Sequence, residues 1–199
     1  MPTQPPSRNK ISGELSRLLP HLQLDAKANA ALEGCEEAAD ALRRLEGAGL
    51  LAEAARLVAH ALPAREAVWW ACACSRHTAS SSTDPETEAA ARDAAEEWVR
   101  RQSDEQRRAA MKEAEKSGFG SPEAWAAVAA FWSGDSMAPL DVPKVPPQPH
   151  FTGLAVAGAV AMSAVRGSAV RREERLRAFL VSAKDIAAGG AGRIDAEKA

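Results

Sequence analysis

Alanine is the feature that most narrows what this chain can fold into: it fills 45 of the 199 positions. An alanine side chain loses no rotamer freedom in a helix and offers a pleated sheet little surface to pack. Val and Ile together number 14, Thr is scarce and Tyr is absent, which argues against an all-β or doubly wound α/β fold. Leu, Ile, Val and Phe number only 34, a share that marks disorder only when the net charge is also large. The formal net charge is -2, so the composition describes a folded chain. The expected fold class is all-α: a compact bundle of helical hairpins, seven to nine helices, with backbones packed closely around few large side chains.

Punctuating residues place the elements. Residues 1–10 carry Pro2, Pro5 and Pro6 and read as a disordered tail. Ile11, Leu15, Leu18, Leu19 and Leu22 recur at helical spacing, interrupted by Pro20. Asp25 caps a short helix ending near Gly34, and another spans Cys35 to Glu46. Leu50 to Leu62 is amphipathic, and Pro63 suits the first turn of the helix that follows to about His77. After a Ser-rich loop, Asp84-Pro85-Glu86 combines an N-cap, an initial proline and acids facing the helix dipole. That helix reaches Arg101. Ser103 and Gln106 have the spacing of a capping box and open a helix to Ser117; Ser121-Pro122-Glu123 opens one to Ser133.

Five prolines between 135 and 149 exclude a helix and predict an extended crossing segment. The last third reads as a long hairpin, 151–165 and 168–188, and Gly189-Gly190 as a stop before a mobile tail, 189–199. One domain therefore spans 11–188. Leu51–Ser75 and Asp104–Gly134 share a helix–turn–helix pattern, a faint repeat that also fits a short HEAT-like array.

Chemistry-bearing motifs are thin. Cys72-Ala-Cys74-Ser-Arg-His77 offers soft ligands, but Cys72 and Cys74 stand about 200° apart around a helix and cannot grip one ion. Cys74 and His77, at i and i+3, share a face. The four histidines, at 21, 60, 77 and 150, stand alone in sequence, with no metalloprotease, nucleophile-elbow or phosphate-loop pattern. The carboxylate pairs Glu36/Glu37, Glu96/Glu97 and Glu173/Glu174 read as solvated helix faces. No catalytic residue, metal site or cofactor is expected.

The most distinctive run is Pro63-Ala-Arg-Glu-Ala-Val-Trp-Trp-Ala-Cys72. Trp69 and Trp70 lie about 100° apart on a helix, so one narrow face cannot bury both. Either both rings fill gaps left by alanine on neighbouring helices, or one faces a partner. Arg65 is four residues before Trp69, which permits a guanidinium on an indole, and Glu66 precedes Trp70 by the same interval. Arg65, Glu66, Trp69 and Trp70 are the candidate partner-binding residues, since Trp and Arg dominate interface hot spots. Phe151 to Val165 carries no charge, but fifteen residues are too short to span a bilayer. Gly153, Ala157 and Ala161 line one of its faces with small residues, which suits burial or a homo-oligomer contact.

Taken together, Pro63-x-Arg-Glu-Ala-Val-Trp-Trp-Ala-Cys72, Phe131-Trp-Ser-Gly134 and the terminal Phe179-Leu…Asp185-Ile-Ala…Gly189-Gly-x-Gly192 resemble a family of uncharacterised bacterial all-helical proteins. The resemblance covers most of 35–193. It implies an accessory or adaptor role near type VI secretion gene clusters and transfers no catalytic residue.

The pI of about 6.1 argues against a nucleic-acid partner. Three cysteines at no scaffold spacing, with no apolar segment near Met1, fit a cytoplasmic protein. The expected function is a non-enzymatic protein–protein interaction or adaptor role in the bacterial cytoplasm. The alternative is a small enzyme or effector using Cys74, His77 or a Glu pair.

Overall fold

A computed structural model describes residues 9–197, and its elements begin where the caps are. Asp25 accepts the Ala28 N–H at 2.8 Å and Ser121 that of Ala124 at 3.1 Å; Asp84 and Ser103 do the same for Thr87 and Gln106. The helices are α1 (Leu15–Leu22), α2 (Ala26–Ala31), α3 (Ala38–Gly47), α4 (Leu51–Ala61), α5 (Ala64–His77), α6 (Pro85–Arg101), α7 (Asp104–Lys116), α8 (Pro122–Trp132), α9 (Phe151–Val165) and α10 (Arg172–Ala187). Among the described residues the only extended pairing is a single bridge, Glu14 with Glu37. Among the described residues the fold is all-α with ten helices, one more than the seven to nine expected. The first helix accounts for part of this: α1 runs through Pro20 instead of breaking there, because it ends two residues later and Leu15 and Leu22 are buried.

Small side chains let helices approach closely, and α8 and α9 use this most. Of the eleven residues of α8, nine are buried, five of them alanine. It packs on α5, α6, α7 and α9, while α9 packs on α4, α5 and α8. The stripe read as a homo-oligomer contact is turned inward in part. Gly153 lies against His60, and Ala157 and Ala161 border a recess with Ala52 and Ala55 of α4.

A linear array would let each hairpin touch only its neighbours. Here α10 returns onto α4 and α5, closing a bundle. The faint repeat has no common geometry either: α7 and α8 pack along their length, whereas α4 and α5 barely meet. The chain turns by 115° between α9 and α10, so the expected hairpin is splayed and not antiparallel. Arg175 fixes that corner by donating to the carbonyls of Ala164 (3.2 Å), Arg166 (2.6 Å) and Ser168 (3.4 Å). Arg166 in turn is buried between Glu123 of α8, at 2.8 Å, and Glu88 of α6.

Both ends of the domain extend further than the sequence suggests. Residues 1–8 of the expected tail lie outside the described residues, but Lys10 is held: its N–H donates to the Ala187 carbonyl at 3.0 Å. The segment read as a mobile tail runs back across the bundle. The Asp185 carboxylate accepts the Gly192 N–H at 2.7 Å, and Ser182 donates to the Gly192 carbonyl at 2.6 Å. Gly189 and Gly192 adopt φ of 96° and 62°, which a side chain rarely tolerates, so the glycines turn the chain instead of ending it. Glu197 then pairs with Arg175 at 2.8 Å. The proline-rich residues 135–149 form no helix; they fold into a loop closed by the Met137 N–H to the Val145 carbonyl at 2.7 Å. No single described helix is long and apolar enough to cross a membrane.

Candidate functional site

The site is built on α5. Pro63 stands immediately before its first residue, where its missing N–H costs nothing, and the two tryptophans leave the helix in different directions. Trp70 is fully buried and donates its indole N–H to the Phe179 carbonyl of α10 at 2.8 Å. It is core. Trp69 is half-buried and donates to the Ala191 carbonyl of the returning chain at 2.8 Å.

One of the four candidate residues thus separates from the rest, and the other three come together. Arg65, Glu66 and Trp69 line a surface cleft of about 410 Å³. Val99 and Arg100 at the end of α6, Ile186 of α10, Gly189, Gly190 and Lys10 complete its walls. The guanidinium-on-indole contact that the spacing permits is not made. Arg65 Nε donates instead to the Val99 carbonyl at 2.9 Å, satisfying one of the carbonyls near the C-terminus of α6.

Lys10 Nζ meets a Glu66 carboxylate oxygen at 2.6 Å. Burial works to raise the Glu66 carboxyl, but the hydrogen bond and charge of Lys10, with a backbone bond and nearby Arg65, outweigh it. The group is held below the ordinary glutamate range. Glu66 is therefore neutralised by Lys10, as Arg100 is by Glu97 at 2.9 Å, and the charge left over is positive, from Arg65. An indole on the floor with guanidinium groups on the rim suits a segment with one apolar side chain and neighbouring carboxylates.

The sequence singled out α5 but missed Lys10, Gly189, Gly190 and Ala191. Each belongs to a segment read as a tail. The signal present was the Gly189-Gly-x-Gly192 spacing beside Asp185, which is a turn and not only a stop.

Other candidate groups lie apart. Cys72 and Cys74 are both fully buried, and desolvation pushes both thiols far up, away from the thiolate form a nucleophile needs. His77 binds elsewhere: Nδ1 faces the Asp195 carbonyl and Nε2 lies 3.4 Å from Glu197. Among the described residues no hydrogen bond joins Cys74 to His77, and no group of three His, Cys, Asp or Glu side chains could hold a metal ion. Of the carboxylate pairs, Glu96 is buried against Arg76, Glu97 pairs with Arg100 and Arg101, and Glu173 and Glu174 pair with Arg177 and Arg171. Glu36 and Glu37 are exposed.

Fold and cleft together define a class: an all-α bundle that carries a groove lined by a tryptophan and by cations, between Lys10 and the turn after α10. A family model described as a family of unknown function, DUF6931, matches residues 41–187, and the chain belongs to that family. No curated protein and no solved structure matches it. The matched span contains Arg65, Glu66 and Trp69 but neither Lys10 nor the returning segment after Gly189.

Proposed function

We propose that this chain is a non-enzymatic adaptor that grips a short acidic segment of another protein in the cleft over Trp69. The single observation behind this reading is the convergence of Arg65, Glu66 and Trp69 with Lys10 and Arg100 in one open groove, while the neighbouring Trp70 is spent on the core. The cleft supplies a flat apolar floor at low entropic cost and charge-assisted donors around it, the combination found at interface anchors. The resemblance of the 63–72 motif supports reading this adaptor as an accessory of a bacterial type VI secretion system, and the unpaired cysteines support a cytoplasmic setting.

The test is a comparison of variants in affinity capture from the native cell. Trp69→Ala and Arg65→Glu should each lose the captured protein while retaining the far-ultraviolet circular dichroism of the parent. Capture unchanged in both variants overturns the reading.

A further inference from the structure

Three of the four histidines, isolated in sequence, meet at one end of the bundle. His21 lies in the last turn of α1, His60 in the last turn of α4, and His150 immediately before α9. His21 and His150 stack with ring centroids 4.2 Å apart and planes within 8°. His60 stands 5.9 Å from His21 at 24°. Gly153 makes the space, because a Cβ there would run into the His60 ring. His60 Nε2 is buried and, among the described residues, has no hydrogen-bond partner. The three rings border a cavity of about 380 Å³.

The charges around this cluster have one sign. From α1, Arg17 borders the cavity beside His21. From α4, Arg56 lies one turn before His60 and donates to the Leu22 carbonyl at 2.5 Å. The cavity residues contributed by α5, α8, α9 and the loop 147–149 are uncharged, and no Asp or Glu borders it. Arg17 itself pairs with Glu14, which does not border the cavity, at 3.0 Å. Parallel rings send their in-plane lone pairs past one another, so the stack is no metal cage, in line with the lack of a three-ligand group among the described residues.

We propose that His21, His60 and His150 form an acid-sensitive clasp that holds α1 to α4 and to the start of α9 while His60 is neutral, and releases α1 when His60 takes up a proton. The neutral His60 ring packs against its neighbours in a partly desolvated site. A proton on His60 would place a cation there beside Arg56 without a counter-charge, and the ring leaves the contact. Burial first, then the charges of His21, His150 and Arg56, lower the His60 pKa from 6.5 to about 4. A proton therefore binds the released form more readily than the closed one. The clasp is fully closed above pH 6.5, loosens as pH falls toward 4, and gains no further bias below that. The difference biases the closed-to-open equilibrium on the order of 10²-fold across that window.

The test is hydrogen exchange of the full chain between pH 7.5 and 4.5, corrected for the intrinsic pH dependence of exchange. Protection of residues 15–22 should fall more than tenfold on acidification while residues 104–116 stay unchanged. His60→Asn should remove most of that fall. Equal loss across both segments, no loss, or an unaltered loss in His60→Asn overturns the proposal. Should the variant fail to fold, nuclear magnetic resonance titration of His60 in the parent decides. An inflection well below 6.5 that coincides with loss of α1 protection supports the clasp; an ordinary inflection, or a low one without that loss, overturns it.

Discussion

Trp69 and Trp70 carry the central contrast at the scale of single residues. Both donate their indole N–H to a carbonyl, yet one partner is buried in α10 and the other is a turn of the returning chain. Removing the fully buried Trp70 ring leaves a cavity in the core beside α10 and an unpaired Phe179 carbonyl. Trp70→Ala should therefore cost about 3–5 kcal/mol in urea denaturation. Trp69→Ala loses half-buried area and one hydrogen bond, and should cost about 1–2 kcal/mol. Similar costs for the two would place Trp69 in the core and remove the basis for the cleft. The 100° step between adjacent helical residues was legible in the sequence. Which ring faces inward was not, because it depends on the position of Phe179, 109 residues away.

At the scale of elements, the returning segment 190–197 is the feature with the most consequence. Arg175 and Glu197 are both nearly fully buried, and breaking such a pair leaves a guanidinium without its counter-charge. Glu197→Gln should lower stability by about 3 kcal/mol, toward the low end for a buried pair since Arg175 keeps three carbonyls. The Arg175 hydrogen bonds hold the Glu197 carboxyl below its ordinary 4.5 against the opposing effect of burial. Its contribution is thus present above pH 4.5 and lost as pH falls through the lowered value. Denaturation measured at pH 7 and pH 3 should show the variant and parent converging in acid; a constant difference would contradict this account.

Caps such as Asp25, Asp84, Ser103 and Ser121 could be read directly, because each acts on an N–H three residues away. The tail was legible only in its first turn, where Asp185 is seven residues from Gly192. Its later contact with His77 depends on how α5 packs beside α10, which only the bundle sets. The same holds for the histidine cluster, whose members are brought together from α1, α4 and the loop before α9.

For the whole molecule, alanine is what allows α8 and α9 to sit at the centre of so many neighbours. The closure of α10 onto α4 and α5 makes the bundle one cooperative body, not a chain of semi-independent repeats. Far-ultraviolet circular dichroism and tryptophan fluorescence should report coincident urea transitions; two separated transitions would indicate an array. The same closure assembles the cleft, since Lys10, α5, the end of α6 and the end of α10 meet only in the complete bundle. The most direct test of the account places a photo-crosslinking residue at the exposed Ala188, next to the Gly189 wall of the cleft, and for comparison at the exposed Glu105 of α7, in the full chain within its native cell. The account predicts a crosslinked partner from position 188 that is lost on adding Trp69→Ala, and none from position 105. A partner crosslinked from 105 alone, or from 188 with Trp69→Ala unchanged, would contradict it.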